Sequence, residues 1–219
     1  MSDTFIVYGA AGSGSVAVEA ALMILDLPYR VVEMGTWFDE AAAEAISRIN
    51  PMRQVPALVL PDGTLITESA AILVWLAESY PAGRLGPFPG DPGRPAFLRW
   101  MSFVSAAVYA LFWIRDKPDR LVPGEAAAAQ IDAATQARIA ECWAIMDSQL
   151  TPGRYLLGED LSVLDLYVAV ISRWASKGRN RFYRAAPGLA DPIRRVDADP
   201  RLAAFWAARF PFKDGWEGV

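Results

Sequence analysis

Residues 50–72 read NPMRQVPALVLPDGTLITESAAI, and the order of breakers and apolar runs in this stretch decides the fold. Asn50-Pro51 stops any helix before it, because a proline biases its preceding residue away from the helical region. Val55 to Leu60 and Thr64 to Thr67 are short apolar runs on either side of Asp62-Gly63, a dipeptide that closes tight hairpins. From Ser69 to Tyr80 the apolar residues Ile72, Leu73 and Leu76 recur at helical spacing, with Trp75 flanking them. The stretch thus predicts a helix end, a hairpin and a new helix in immediate succession.

Working toward the N-terminus, residues 39–49 read as a short helix and Tyr29 to Met34 as a strand. Val16 to Leu25 is an Ala-rich helix ended by Pro28, and Phe5 to Tyr8 is a buried strand running into the small, glycine-rich turn Gly9 to Ser15. Toward the C-terminus, residues 81–95 read PAGRLGPFPGDPGRP; nine of these fifteen are Pro or Gly, so neither a helix nor a central strand fits. Beyond them only helical patterns remain: Phe97 to Arg115, Gly124 to Leu150, Ser162 to Lys177, and shorter ones near 188–198 and 200–209. The expected architecture is an α/β domain over 1–81, a linker over 82–95 and an all-helical domain over 96–219.

The chain has 219 residues, and 53% of them are hydrophobic, enough for a real core. A net charge of -4 argues against nucleic-acid binding, which shows as a basic domain. The N-terminus lacks the basic flank of a signal peptide, and the apolar runs stop short of the ~20 residues of a membrane span. A cytoplasmic home is expected. There is one cysteine, Cys142, and no histidine. A disulfide framework, Ser-His-Asp and Cys-His catalysis, and His-based zinc sites are excluded, and no metal is expected. Proton chemistry falls to Tyr, Ser, Lys, Asp, Glu or the ligand.

Gly9, Gly12 and Gly14 lie between a strand and a helix, with Glu33 ending the next strand. That resembles a loose dinucleotide-binding fingerprint. The spacing is GxxGxG rather than GxGxxG, and a hairpin and helices follow where further βα units are needed. Nucleotide binding is therefore the outlier.

The order β–α–β–α–β–β–α, then a Pro/Gly linker, then helices, resembles the glutathione-transferase superfamily. Asn50-Pro-Met-Arg-Gln-Val-Pro-Ala-Leu58 is similar to the family's N-P-x-x-x-V-P-x-L, and Asp62-Gly63 with Leu65 to Ile72 to its DG-x-x-L-x-E-S-x-A-I segment. Tyr80-Pro81 fits the end of the first domain, and Gly158 to Asp165 resembles the helix-start motif G-x-x-x-S-x-x-D. The resemblance implies a thioredoxin-like first domain, glutathione as co-substrate, a small apolar electrophile as second substrate, and a homodimer.

Site residues follow from the same resemblance. It implies a cis peptide before Pro56, which turns the Val55 backbone toward the cysteinyl part of glutathione, as in strand addition. It assigns the γ-glutamyl carboxylate to the helix start at Ser69, where free N–H groups and the macrodipole favour anions, and the α-amino group to Glu68. Gln54 matches an assisting position, and Arg53 is a candidate carboxylate partner. For the hydroxyl that stabilises the thiolate there are three candidates, in the order Ser13, Tyr8, Ser15. The positions where other classes carry a cysteine fall on Gly12 and Gly14, and Glu19 stands where the first helix often has a basic residue. Tyr109 and Trp113 are candidates for the second-substrate cleft. The basic stretch Arg173, Lys177, Arg179, Arg181 and Arg184 reads as a solvated face or loop. Ser162 and Asp165 are expected to form a capping box, with Leu161 and Leu166 as its staple. The function expected is conjugation of glutathione. The alternative is a glutathione-binding protein of the same fold with another activity or none: isomerase, peroxidase or regulatory.

Overall fold

The computed structural model describes residues 3–36, 39–174 and 180–212. Its first half is β1 (Phe5–Gly9), α1 (Ser15–Ile24), β2 (Tyr29–Glu33), α2 (Glu40–Ser47), β3 (Ala57–Val59), β4 (Leu65–Thr67) and α3 (Ser69–Ser79). The four strands form one sheet in the order β2-β1-β3-β4. β1 runs parallel to β2, and β3 runs antiparallel to both β1 and β4. A parallel pair needs a crossover, which α1 supplies; the antiparallel pair needs only the Asp62-Gly63 turn. This is a thioredoxin-like unit.

Strand parity sets the two faces of β1. Phe5 and Val7 are buried, and Phe5 meets Trp75 and Tyr80 edge-on at 6.4 and 6.2 Å. α1 lies on α3 on one side and on a helix of the second half on the other. Its residues Ser15 to Leu22 are all buried, which is why it reads as apolar on most faces rather than amphipathic.

The second half is helical: α4 (Arg94–Phe103), a π-turn (Val104–Tyr109), α5 (Ala110–Asp116), α6 (Glu125–Gln149), α7 (Val163–Ser172), α8 (Asn180–Ala185), α9 (Ala190–Asp197) and α10 (Ala203–Arg209). The stretch from Arg94 to Asp116 is continuously helical, 23 residues long, and apolar enough by length and composition to cross a membrane. Length therefore does not separate it from a span, contrary to the expectation from apolar runs. Its Phe97, Trp100, Met101, Val104, Val108 and Phe112 are buried in the protein core.

α7 is the central helix, with every residue buried. Both arms of the Ser162–Asp165 capping box form. The Asp165 carboxylate accepts from Ser162 N at 2.9 Å, from the Ser162 hydroxyl at 2.6 Å and from Leu156 N at 2.8 Å. The Val163 N–H donates to the Leu85 carbonyl at 2.8 Å, tying α7 to the connecting segment.

The basic stretch corrects one expectation. Arg173 is fully buried, paired with Asp197 at 2.5 Å and stacked on Trp206 and Phe212 at 4.2 and 4.3 Å. Residues 180–185 are helix α8 rather than loop, with Phe182 buried. Lys177 and Arg179 lie outside the described residues.

Candidate functional site

The site grows from the junction of β3 with its preceding loop. Asn50, 4% exposed, organises that loop: its side-chain amide donates to the Gln54 carbonyl at 2.9 Å and accepts from Met52 N at 3.0 Å. Arg53 takes a left-handed φ of 58°, and the Val55-Pro56 peptide is cis. Val55 is buried, and its N–H and C=O lie outside the sheet ladder, which starts at Ala57. The Arg53 guanidinium is drawn aside to Glu40, with Glu44 at 3.9 Å, so it pairs with α2.

Glu68 carries a φ of 68°, a left-handed conformation that a non-glycine residue adopts at a cost of ~1–3 kcal/mol. The kink turns the chain from β4 into α3. It leaves the Glu68 side chain exposed and Ser69 buried at the first helical position. The free amides of the first turn of α3 open beside an exposed carboxylate, a pairing that suits a zwitterion.

The hydroxyls before α1 are placed differently from their expected use. Ser13 Oγ accepts from the Ala10 and Ser15 amides at 3.4 and 3.1 Å and lies 2.8 Å from Ser15 Oγ. Ser15 Oγ donates to Glu19 Oε1 at 2.7 Å. A hydroxyl has one proton. With that of Ser15 on Glu19, the Ser13–Ser15 bond uses the proton of Ser13. Tyr8 shares the β1 face opposite Phe5 and Val7, so its ring points away from α3.

Glu19 is completely buried and is met by Arg209 of α10 at 2.6 Å; Arg209 also pairs with Glu33. The basic group missing from α1 thus arrives from the far end of the chain. The Arg209 carbonyl also accepts from Gly12 N at 2.9 Å, and the Trp174 indole donates to the Gly12 carbonyl at 2.7 Å. No local signal marks Arg209 or Trp174, since each acts across more than 150 positions, 190 in the first case and 162 in the second.

Tyr109 reaches the junction of α1 and α3, where its hydroxyl and Ser69 Oγ both border Gly14. Trp113, one turn on, lies under the Arg120 guanidinium at 4.4 Å. Cys142 is buried, its thiol pushed up by desolvation and directed at the Ala107 carbonyl, 3.4 Å away. A cavity of about 460 Å³ lies elsewhere, among Phe112, Ile139, Trp143, Phe182 and Arg184 of the helical half.

A thioredoxin-like unit with an exposed acid beside a helix N-terminus, backed by a helical bundle, defines the class. The family model for the glutathione S-transferase N-terminal domain matches residues 15–79. The uncharacterised GST-like protein YncG of Escherichia coli K12 is 32% identical over 90% of this chain and 94% of its own length. Glutathione S-transferase GST-4.5 of Xanthomonas campestris is 30% identical over 78% of this chain and 82% of its own. A glutathione transferase homologue from Sulfitobacter, crystallised with bound glutathione, superposes with a TM-score of 0.81 at 27% identity, over 94% of this chain and 98% of that one. This chain belongs to the glutathione S-transferase family.

Proposed function

We propose that the protein binds glutathione along Gln54-Val55-Pro56 and Glu68-Ser69 and conjugates it to a small, apolar electrophile. One observation carries the reading: the kinked Glu68-Ser69 corner sets an exposed carboxylate against the open amides of α3. The γ-glutamyl end of glutathione bears an ammonium and a carboxylate on one carbon, and this corner complements both. Val55 then pairs its backbone with the cysteinyl residue, as an added strand would. The thiol comes to lie near the N-terminus of α1, where the helix dipole favours a thiolate. The Arg53 guanidinium can serve a carboxylate only by leaving Glu40. We take residues 1–81 as the first domain, 82–95 as the linker and 96–219 as the helical domain; on that division the half-site belongs to the first domain and the second substrate faces the helical one.

A homodimer and a cytoplasmic setting belong to the same proposal. Met52 and Leu98 are exposed apolar side chains, 65% and 40%, that a second copy would cover. The cytosol is kept reduced by glutathione, which suits both the lone thiol and the chemistry.

Titration calorimetry with glutathione tests the reading. The wild type is expected to bind, and Glu68→Gln to bind roughly tenfold or more weakly, as fits loss of a charged hydrogen bond worth about 1.5–3 kcal/mol. Equal affinity in the two proteins would remove Glu68 from the site. Binding with no turnover of an aryl halide would select the alternative, a glutathione-binding protein without transferase activity.

A further inference from the structure

Three segments distant in sequence converge on one hydroxyl. Tyr109 ends the π-turn that interrupts the long helix between α4 and α5. Such turns insert an extra residue and re-aim the side chains beyond it, frequently at functional sites. An ideal Cβ placed on Gly14 would lie 2.5 Å from the Tyr109 hydroxyl oxygen, 2.9 Å from its Cε2 and 3.1 Å from Ser69 Oγ. Gly14 directly precedes α1, and Ser69 opens α3. The phenol therefore touches the N-termini of both helices, in space that any residue larger than glycine would fill. The ring is held by the edge of Trp174 at 4.9 Å and by Tyr167 at 6.3 Å.

The protons at this junction decide which group can act. Ser15 donates to Glu19, and the Ser13–Ser15 bond then takes the proton of Ser13. Tyr8 faces away. Tyr109 differs: burial drives its pKa further up, and the Glu68 charge adds to the effect. It is a neutral phenol throughout the physiological range, with one proton to donate.

We propose that Tyr109, supplied by the helical half, is the group that donates a hydrogen bond to the glutathione sulfur and holds it as a thiolate, in place of Ser13, Tyr8 or Ser15. This deepens the glutathione reading and rests on it. The thiol loses its proton to solvent, and Tyr109 keeps its own. A sulfur lone pair then forms the carbon–sulfur bond as the leaving group of the electrophile departs with its electron pair. Tyr109 is thus assigned to the reacting sulfur rather than to the wall of a second-substrate cleft.

The test follows the titration of bound glutathione by its thiolate ultraviolet absorbance, alongside calorimetry and conjugation of an aryl halide. In the wild type the bound thiol is expected to titrate one to two units below the free value of ~8.5. Tyr109→Phe keeps the ring and is expected to bind glutathione within about threefold of wild type. Its bound thiol moves back by roughly one unit, and kcat/KM at neutral pH falls ~10²-fold, the scale of losing one preorganised donor. Ser13→Ala is expected to leave the bound-thiol titration where it is. An unchanged titration in Tyr109→Phe overturns the proposal and leaves glutathione binding standing. So does loss of binding in a Tyr109→Phe protein whose circular dichroism is native, since that assigns Tyr109 to ligand capture. Failure of the wild type to bind glutathione overturns this proposal and the glutathione reading together.

Discussion

Gly14 shows how one residue can be set by a neighbour from another domain. Its φ of -63° and ψ of -17° are ordinary for any residue, so no backbone reason demands glycine. On backbone entropy alone, Gly14→Ala would stabilise by about 0.4–1 kcal/mol. The Tyr109 hydroxyl at 2.5 Å from the added Cβ reverses the sign, because overpacking of this kind costs ~1–3 kcal/mol. Urea unfolding should show a net loss of stability in Gly14→Ala against wild type, and no such loss when the same change is made in a Tyr109→Ala background. Non-additivity of that kind is the mark of two residues in direct contact. Ser13 and Ser15 were legible as small polar residues at a helix start. Where their protons go depends on Glu19, whose partner Arg209 lies 190 positions away.

α7 is the element whose local sequence and tertiary role agree most closely. Ser162 and Asp165 form their box as the spacing predicts, and the helix behind it is buried throughout. Burial pushes the Asp165 carboxyl up to about 6, outweighing the hydrogen bonds from Ser162 and Leu156 that pull the other way. The folded pKa thus lies above the unfolded value of 3.8, so the folded state holds this proton more tightly. The contribution to stability is fully present below ~4 and is lost as pH rises through about 6, at up to ~1.4 kcal/mol per unit. Comparing unfolding free energies at pH 4.5 and 6.5 for the wild type and Asp165→Asn should show that this component of the pH dependence disappears in the variant. The long helix from Arg94 to Asp116 is the contrasting element. Its apolar periodicity was readable, but its π-turn was not, since an extra residue in a helix leaves no mark in composition.

At the scale of the molecule, the last described helix locks the first. Arg209 neutralises the buried Glu19 and pairs with Glu33, while its carbonyl receives the Gly12 amide. Arg209→Ala would leave a buried carboxylate without its counter-charge, which costs about 3–5 kcal/mol. Denaturant melts of Arg209→Ala and of the double variant with Glu19→Gln should show the second change restoring part of the loss. If Arg209→Ala is as stable as wild type, the pair does not close the molecule. The sequence by itself determined the order of strands and helices, the hairpin at Asp62-Gly63 and the box at Ser162. All of these rest on contacts between near neighbours, where turn chemistry, capping and periodicity are written in consecutive residues. Only the tertiary structure decided which hydroxyl meets the space before α1, that Arg173 is buried, and that the cation for Glu19 comes from α10. Those depend on side chains brought together from opposite ends of the chain, and no local pattern encodes a proton's destination across that distance.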